Sequence, residues 1–201
     1  MIELINIEQT EPYLTFEKYI NEAKKIGIKN YDAVCISTYS KIKNEISSRY
    51  VNLKYIKGNQ WYFFSNYNSD KAKDIDENNQ ISALTFWPEI FTQVRIKAKI
   101  FKASKMDSDL HFQKRSLEKN ALSISSNQSN TINNFKEIKD NYEKILIYLR
   151  EKDTQKRPEY WGGYYFVPYY FEFWVGDKNR LNKRKVFTYI ENKWEVSYLE
   201  P

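Results

Sequence analysis

In the segment from Thr92 to Ser104, "TQVRIKAKIFKAS", the apolar residues Val94, Ile96, Ala98 and Ile100 alternate with the charged residues Arg95, Lys97 and Lys99. Successive side chains of a β-strand point to opposite faces, so this alternation predicts a strand with one buried and one solvated face. Other short runs of β-branched and aromatic residues, separated by polar turns, predict further strands of an antiparallel sheet. These runs are "DAVCISTYS" (32–40), "SRYVNLKYI" (48–56), "QWYFFSN" (60–66), "ISALTFW" (81–87), "YYFVPYYFEFWVG" (164–176), "KVFTYIEN" (185–192) and "KWEVSYLEP" (193–201).

Helical spacing of apolar residues marks a second set of elements. The pattern predicts one helix from about Pro12 to Ile28, and a short helix over 69–78 with Ser69 as its N-cap. The middle of the chain predicts one helix over 106–120 and another over 131–149. The apolar face of the last helix is Ile132, Phe135, Ile138, Tyr142, Ile145 and Leu149.

Strands and helices in this order predict a mainly β, α+β fold. We expect an antiparallel sheet closed or split into a barrel, because closure removes exposed sheet edges, with helices at its periphery. The 201 residues are expected to form a single domain, with residues 1–30 as an N-terminal helical segment.

Composition narrows the possible functions. No run of 18 apolar residues exists and the N-terminus lacks the pattern of a signal peptide, so we expect a cytoplasmic protein that does not span a membrane. Cys35 and His111 are the only residues of their kinds, which excludes a disulfide within the chain and any site that needs two histidines. The net charge of +6 permits nucleic acid, anionic lipid or phosphorylated small molecules as partners.

Two groups of basic residues are candidate anion sites. Arg49 and Lys54 lie in "SSRYVNLK", five residues apart and therefore on opposite faces of a regular strand. They are either solvated strand charges or ligands of two different anions. His111, Arg115 and Lys119 are spaced by four, and on one helix they would form a stripe. That stripe is either a solvated basic face or a phosphate site, because a phosphate would turn the repulsion among its charges into attraction.

The third candidate is the stretch "RPEYWGGYYFVPYYFEFWVGDKNRLNKR" (157–184), which holds three of the five glycines and two of the five tryptophans. Its adjacent glycines allow close approach of the backbone or positive φ. Trp174 offers a flat apolar face, and Arg180 and Arg184 bracket a turn. The stretch is either a β-bulge with a basic hairpin or a site for a flat ring with anionic groups.

These motifs resemble those of the pyridoxine (pyridoxamine) 5′-phosphate oxidase family. The family's "WGGY…P…EFWQG…RLHDR" is similar to the stretch above, and "SSRMVLLK" is similar to "SSRYVNLK". "FYTN…SRKA" resembles "FFSNYNSDKA", "RQVMVIGKAE" resembles "TQVRIKAKIF", and "KQSS" resembles "NQSN" (127–130). The endings "W…LAP" and "WEVSYLEP" are also similar. The resemblance runs in register from about residue 30 to residue 201.

The resemblance implies a homodimer of split β-barrels with FMN at the dimer interface, and residues 155–201 as the dimerisation and active-site region. It implies oxidation of a phosphorylated B6 vitamer to pyridoxal 5′-phosphate by dioxygen, with release of hydrogen peroxide and no metal or nucleic acid. The implied cofactor-binding residues are Arg49, Lys54, Phe64, Ser65, Lys71, Gln93, Gln128, Ser129, Trp174 and Arg184. The implied substrate-binding residues are Lys54, His111, Arg115, Lys119, Arg180 and Asn182, of which Arg180 and Asn182 are catalytic candidates.

Four departures from the family pattern bear on ligand binding or turnover, and a fifth, Thr92 in place of an arginine before Gln93, carries no predicted effect. Asp70 replaces an arginine for the FMN phosphate, His111 replaces a tyrosine for the substrate phosphate, Lys119 replaces a serine, and Asn182 replaces a histidine near the substrate. These departures leave two alternatives open. One is a related flavin oxidase with a different substrate, such as a phenazine-pathway oxidase. The other is a flavin-binding or basic RNA-binding protein without turnover.

Overall fold

The computed structural model describes residues 2–152 and 156–201, so residue 155, where the C-terminal region was expected to begin, lies outside them. The helices are α1 (Glu11–Lys25), α2 (Asp70–Glu77), α3 (Lys105–Lys114), α4 (Leu117–Ser125) and α5 (Phe135–Glu151). The strands are β1 (Glu3–Ile5), β2 (Ala33–Ser40), β3 (Glu45–Asn52), β4 (Tyr55–Lys57), β5 (Gln60–Asn66), β6 (Gln80–Trp87), β7 (Thr92–Lys102), β8 (Trp161–Val175), β9 (Lys183–Ile190) and β10 (Lys193–Leu199).

All ten strands belong to one sheet, in the order β1-β4-β5-β8-β7-β6-β2-β3, with β9 on β8 and β10 on β9. Every pairing is antiparallel except that of β1 with β4. Strand β8 pairs with β5 over its first part, Trp161–Phe166, and with β9 over its last, Tyr170–Val175. The sheet therefore forks along β8, and the predicted antiparallel α+β architecture is confirmed.

The alternating pattern of β7 has its expected physical result. Val94, Ile96 and Ala98 are buried in the core, whereas Arg95 and Lys97 on the opposite face are exposed. Because the sheet covers its core on one face only, apolar and charged residues must alternate along this strand.

Arg95 and Lys97 lie on the outer face of the sheet. Helix α1 covers the core on the inner face. Phe16 packs against Trp61 with ring centroids 4.3 Å apart, and against Trp87 at 5.9 Å. Burial of each such side chain contributes roughly 1.5–3 kcal/mol. The helix ends at Lys25, three residues before the predicted end, and Gly27 follows it with a positive φ of 80°.

The prediction of one continuous strand over residues 48–56 was wrong. The chain turns at Leu53, whose side chain is fully buried and whose backbone N–H donates to the Asp32 carbonyl. The N–H of Lys54 instead donates to the Tyr62 carbonyl, so the partner strand changes here from β2 to β5. Lys54 thereby lies at a corner between β3 and β4.

The prediction of one helix over 106–120 was also wrong, and with it the stripe of three basic residues on one helix. Arg115 has an extended backbone, with ψ of 154°, and ends α3. Ser116 is the N-cap of α4, and its side chain accepts a hydrogen bond from the N–H of Lys119. Serine is favoured at the N-cap, where its hydroxyl accepts a hydrogen bond from a free N–H of the first turn, and it is less favourable inside a helix. The chain therefore begins a new helix here.

Helix α5 begins four residues later than the predicted start at residue 131. Asn134 caps it by accepting a hydrogen bond from the N–H of Glu137. Of the predicted apolar face, Leu149 is buried, while Phe135 is 75% exposed.

The outer face of the sheet carries a patch of exposed apolar side chains. Leu84 and Phe86 alternate on β6, and the cross-strand register places Leu84 beside Cys35 and Cys35 beside Tyr50. We call Tyr50, Leu84 and Phe86 the outer apolar patch. Exposed apolar surface of this kind is typical of a contact with another protein chain.

Candidate functional site

A cavity of about 480 Å³ opens where the end of β3, strand β5 and helices α2 to α4 meet. We call it the basic cavity, because four cationic side chains line it and no Asp or Glu among the described residues does. Its size suits a small-molecule ligand, and its charge favours an anionic one. The predicted site residues that line it are Lys54, Phe64, Ser65, Lys71, His111, Arg115, Lys119 and Gln128, together with Tyr50, Val51, Asn52 and Trp161.

Lys71 is the most deeply buried charge of the basic cavity, at 7% exposure. Its ammonium donates to the hydroxyls of Ser65 and Ser69, at 2.8 and 2.9 Å. None of the ion pairs between described residues includes it. Burial, and then the nearby charge of Arg49, lower the pKa of Lys71 to about 8. A buried cation with only neutral partners carries an uncompensated desolvation cost, so this position suits a bound anion.

Arg49 lies close to Lys71 but does not line the basic cavity. Its guanidinium donates to the Thr38 hydroxyl at 2.6 Å and is 4.0 Å from the Asp74 carboxylate. Burial lowers the pKa of Arg49, opposed by Asp74. Lys54 lines the cavity, and its ammonium is 3.8 Å from the Asp32 carboxylate.

Arg115 also lines the cavity, because the chain breaks between α3 and α4. Its guanidinium carbon is 4.4 Å from the centroid of the Trp161 ring, a cation–π distance. The same group donates to the Ser123 hydroxyl at 2.8 Å and to the Lys119 carbonyl at 2.9 Å. Burial lowers the pKa of Arg115 to about 10, which leaves it charged at neutral pH. The three basic residues thus meet around the cavity without sharing a helix.

The adjacent glycines of β8 allow side chains to approach the strand. A Cβ on Gly162 would lie 2.2 Å from the Tyr67 hydroxyl, and a Cβ on Gly163 would lie 2.9 Å from Cε1 of Phe64. Neither glycine is among the residues with positive φ. The glycines therefore serve packing, and Gly163 lets the Phe64 ring lie against the strand beside the cavity.

Gln128 and Ser129 lie on the loop between α4 and α5. Gln128 lines the cavity, and Ser129 has a left-handed backbone, with φ of 74°. The Ser129 hydroxyl lies 3.5 Å from the backbone N–H of Asp70. The Asp70 carboxylate is half exposed and 3.7 Å from the Lys73 ammonium. The acidic residue that departs from the family pattern therefore adjoins the cavity near Lys71.

The remaining predicted residues form a second group on β7, β8 and β9. Gln93, Trp174 and Arg184 are neighbours in the cross-strand register, so their side chains form one row. The Arg184 guanidinium is held by Glu172, which is 1% exposed, through contacts of 2.9 and 2.8 Å. The same carboxylate accepts from Arg95 at 2.7 Å. A buried carboxylate between two arginines fixes the direction of Arg184.

Arg180 and Asn182 lie in the turn between β8 and β9. Arg180 is exposed and has a left-handed backbone, with φ of 64°. The side-chain oxygen of Asn182 accepts a hydrogen bond of 3.1 Å from the N–H of Asp177, so it closes its own turn. Strained backbone of this kind is concentrated at functional turns.

The second group does not line the basic cavity. The cavity includes Trp161 at the start of β8, whereas Trp174 lies at the other end of this strand. The structure of one chain therefore brings together eight of the predicted residues and keeps Gln93, Trp174, Arg180, Asn182 and Arg184 apart from them.

A larger cavity of about 710 Å³ lies at the fork of the sheet and contains none of the predicted residues. Its charged lining consists of one acidic and one basic residue, Glu8 and Lys99, beside aromatic rings. Among the described residues, its lining has no net charge and no buried ion without a charged partner. This cavity therefore lacks the features that favour an anionic ligand in the basic cavity. Within the described ranges no group of three potential metal ligands occurs, and no helix is long and apolar enough to cross a membrane.

Sequence reasoning missed two residues that hold the site together. Glu172 was quoted only as part of a motif, although a lone acid in an apolar strand signals a paired buried charge. Tyr55 hydrogen-bonds to His111, and no local pattern marks it because its partner is 56 residues away.

Comparisons with known proteins agree with these features. Residues 20–148 match a family model described as pyridoxamine 5′-phosphate oxidase, and residues 161–201 match one described as the pyridoxine 5′-phosphate oxidase C-terminal dimerisation region. The pyridoxine/pyridoxamine 5′-phosphate oxidase of Leptospira biflexa is 33% identical over 191 residues, which cover 95% of this chain and 89% of the relative. That of Rippkaea orientalis is 35% identical over 195 residues, which cover 95% and 90%.

Two solved structures share the fold. PhzG from Burkholderia lata, in complex with tetrahydrophenazine-1-carboxylic acid, has a TM-score of 0.89 at 23% identity, covering 95% of this chain and 93% of that one. A pyridoxamine 5′-phosphate oxidase-related, FMN-binding protein of Nostoc punctiforme has a TM-score of 0.76 at 10% identity, covering 96% and 99%. The predicted split-barrel fold is confirmed.

Proposed function

The chain belongs to the pyridoxamine 5′-phosphate oxidase family, and from that premise we propose that it is an FMN-dependent oxidase of phosphorylated B6 vitamers. It oxidises pyridoxamine 5′-phosphate, pyridoxine 5′-phosphate or both to pyridoxal 5′-phosphate, with dioxygen as the electron acceptor and hydrogen peroxide as its reduced product. With the amine substrate, water hydrolyses the resulting imine and ammonia is released as well. The observation that carries the proposal is the buried ammonium of Lys71, without a carboxylate partner, in a cavity lined by three further cations.

The residues around Lys71 fit the phosphate of FMN. Lys71 and Ser65 offer an ammonium and a hydroxyl at the deep end of the cavity, with Arg49 behind them. An anion here removes the cost of the unpaired buried charge. Gln128 and Ser129 supply further hydrogen-bonding side chains on the adjacent loop. When bound, FMN supplies the electron-accepting chemistry, which no side chain of the protein can provide.

The cations around His111 fit the phosphate of the substrate. Lys54, Arg115 and Lys119 provide three cations, and Arg115 is fixed by its contacts with Ser123 and Trp161. A guanidinium held in advance binds phosphate oxygens with little loss of side-chain entropy. The two sets of cations account for two anionic groups, one from the cofactor and one from the substrate.

A second copy of the chain completes the site in this proposal. Gln93, Trp174 and Arg184 lie in a row on the outer face of the sheet, next to Phe86 of the outer apolar patch. Tyr50 of the same patch lines the basic cavity. We infer that a two-fold contact through this patch would bring the row of one copy to the cavity of the other. The match of residues 161–201 to a dimerisation region supports this arrangement.

One observation favours a second candidate, a related flavin oxidase with another substrate. Asn182 uses its side-chain oxygen within its own turn and has no titratable group near neutral pH. A substrate that needs an acid or base at this position would react slowly. The cations near Arg115 still favour an anionic substrate.

The test uses the purified protein reconstituted with FMN and freed of excess cofactor. An absorbance scan measures bound flavin, and pyridoxamine or pyridoxine 5′-phosphate is then added under air while aldehyde and peroxide are measured. We expect bound flavin and equal amounts of the two products. Arg115→Ala should raise KM roughly 10- to 100-fold, since a hydrogen bond to a charged group contributes about 1.5–3 kcal/mol. Lys136→Ala, on exposed α5, is the matched control.

The outcomes separate the candidates. Bound flavin without oxidation of either vitamer would favour the second candidate. Absence of bound flavin after reconstitution would contradict the proposed function in both forms.

A further inference from the structure

The His111 ring is held in one orientation by three aromatic neighbours. It stacks on Phe64 with centroids 3.7 Å apart and planes at 12°. It is nearly parallel to Trp161, and the Tyr55 ring meets it edge-on at 5.4 Å. The ring cannot turn without displacing these neighbours, so each of its nitrogens has a defined environment.

One of those nitrogens is bonded to a buried tyrosine. The Tyr55 hydroxyl lies 2.8 Å from Nδ1 of His111, and Tyr55 is 8% exposed. Burial, followed by the carboxylates of Glu3 and Asp107, raises the pKa of Tyr55, so its hydroxyl keeps its proton. Among the described residues, Nδ1 is the one acceptor within hydrogen-bond distance of this hydroxyl. Donation from this hydroxyl to Nδ1 gives both groups a partner and leaves the ring proton on Nε2, whereas a proton on Nδ1 would leave the hydroxyl proton without an acceptor among these residues.

The other nitrogen has no hydrogen bond to any residue in the described part of the chain. His111 lines the basic cavity, and burial and the surrounding cations lower its pKa to about 3. The ring is therefore neutral at physiological pH and offers an N–H donor without adding a further charge. The cations that act on it are Arg115, Lys54, Lys114 and Lys119.

Those cations influence which tautomer His111 adopts, and the tautomer determines whether Nε2 repels or binds a phosphate oxygen. On their own they favour a lone pair at Nε2, because a lone pair is attracted to positive charge. A lone pair there would repel a phosphate oxygen, whereas an N–H would bind it. The Tyr55 hydroxyl opposes the cations by occupying the Nδ1 lone pair.

We propose that Tyr55 is a positioning residue that fixes the Nε2–H tautomer of His111, so that His111 donates a hydrogen bond to a phosphate oxygen held by Arg115. This inference rests on the proposed function in taking the ligand to be a phosphate monoester. It assigns to Tyr55, which does not line the cavity, control over anion binding through His111.

The test exploits the single histidine of the chain, whose NMR signal needs no assignment. The full-length protein is labelled with ¹⁵N-histidine, with and without FMN, and long-range ¹H–¹⁵N correlations are recorded during titration with inorganic phosphate. We expect the neutral Nε2–H tautomer, and a shift of the Nε2 signal that saturates with phosphate. The Nδ1–H tautomer, an imidazolium in the phosphate-bound state, or no shift with phosphate would each overturn the proposal.

Variants separate positioning from structure. Tyr55→Phe keeps the ring and removes the hydroxyl, and we expect loss of the pure Nε2–H tautomer and roughly two- to tenfold weaker phosphate binding. Tyr62→Phe is the matched control, because Tyr62 faces Tyr55 on β5 and its hydroxyl bonds to Gln60. His111→Gln places an N–H near the position of Nε2, so adding Tyr55→Phe to it should change phosphate affinity no further.

An equal effect of Tyr55→Phe in the His111→Gln background would overturn the positioning role. The tautomer is read in the wild-type protein without turnover and without FMN. A protein that shows the tautomer and the phosphate shift but no oxidase activity would contradict the proposed function while leaving this inference intact.

Discussion

Lys71 shows how a single residue ties stability to function. Its ammonium is buried against two hydroxyls and its pKa is lowered to about 8. The empty protein therefore bears a desolvation cost that a bound phosphate removes. A residue arranged in this way should have opposite effects on stability and on ligand binding.

Lys71→Met should raise the thermal stability of the FMN-free protein and weaken FMN binding. The neutral side chain removes the desolvation cost, and each kcal/mol recovered shifts Tm by about 2–4 °C. Loss of the charged hydrogen bond should raise the FMN Kd roughly 10- to 100-fold. Calorimetry and flavin fluorescence measure the two quantities. Lys73→Met on the same helix is the control, and a parallel loss of Tm and affinity would contradict the assignment.

FMN affinity should also depend on pH through Lys71. The protonated ammonium binds phosphate, and bound phosphate raises its pKa above the value of about 8 in the empty protein. Binding therefore takes up a proton above pH 8, so affinity should fall as pH rises, by at most about tenfold per pH unit. Fluorescence titrations from pH 7 to pH 9.5 test this. The slope should be smaller in Lys71→Met, and equal slopes would assign the effect to another group.

Asp70 provides a test of the departure nearest to Lys71. Its carboxylate is half exposed, and its charge acts on both Lys71 and Arg49. Asp70→Arg should lower the FMN Kd by about two- to fivefold, the range expected for an exposed ion pair. Asp70→Asn, which only removes the negative charge, should give part of this gain. Unaltered Kd values in both variants would show that residue 70 does not act on the cofactor phosphate.

At the scale of elements, close packing between β8 and β5 shapes the basic cavity. A Cβ on Gly163 would lie 2.8 Å from the Ala103 Cβ and 2.9 Å from the Phe64 ring. Gly163→Ala should therefore destabilise the protein by about 1–3 kcal/mol and displace Phe64. Chemical denaturation measures the first effect and FMN affinity the second.

Ala103→Gly supplies the matched rescue. It removes one of the two clashes, so the double variant should recover part of the lost stability while FMN binding stays weakened by the displaced Phe64 ring. If Gly163→Ala were as stable as the wild type, the packing role of this glycine would be wrong.

Secondary structure was predictable where a local sequence pattern determines it. In β7, the alternation of apolar and charged residues from Val94 to Ile100 matches the alternation of buried and exposed side chains. The predictions failed where a contact between residues distant in the sequence determines the local structure. The strand over 48–56 breaks because Leu53 and Lys54 bond to different neighbours, Asp32 and Tyr62. The break between α3 and α4 could have been predicted from the local sequence, because serine, here Ser116, is a favoured N-cap residue. The spacing of the basic residues instead favoured a single helix.

The residues of the functional site also divide into those that the sequence predicted and those that depend on distant contacts. Eight of the twelve residues that line the basic cavity were predicted by resemblance, whereas Tyr55 and Glu172 act through side chains that are distant in the sequence or buried. Their roles depend on tertiary geometry, which composition and spacing do not encode. The tautomer of His111 in particular follows from one hydroxyl on a different strand.

At the scale of the whole molecule, the predicted site residues fall into two groups at opposite ends of β8. One group lines the basic cavity, and the other follows the outer face of the sheet beside the outer apolar patch. We propose that each active site combines the cavity of one copy with Trp174 and Arg184 of a second.

Subunit complementation tests this claim most directly. Arg115→Ala and Arg184→Ala chains with different tags are co-expressed, the doubly tagged heterodimer is loaded with FMN, and kcat/KM for pyridoxamine 5′-phosphate is measured. The heterodimer has one intact site of two, so we predict about half of the wild-type activity per dimer. The Arg115→Ala and Arg184→Ala homodimers have no intact site and should each keep at most roughly a tenth of the wild-type kcat/KM. A heterodimer no more active than these two homodimers would contradict a site shared between two chains.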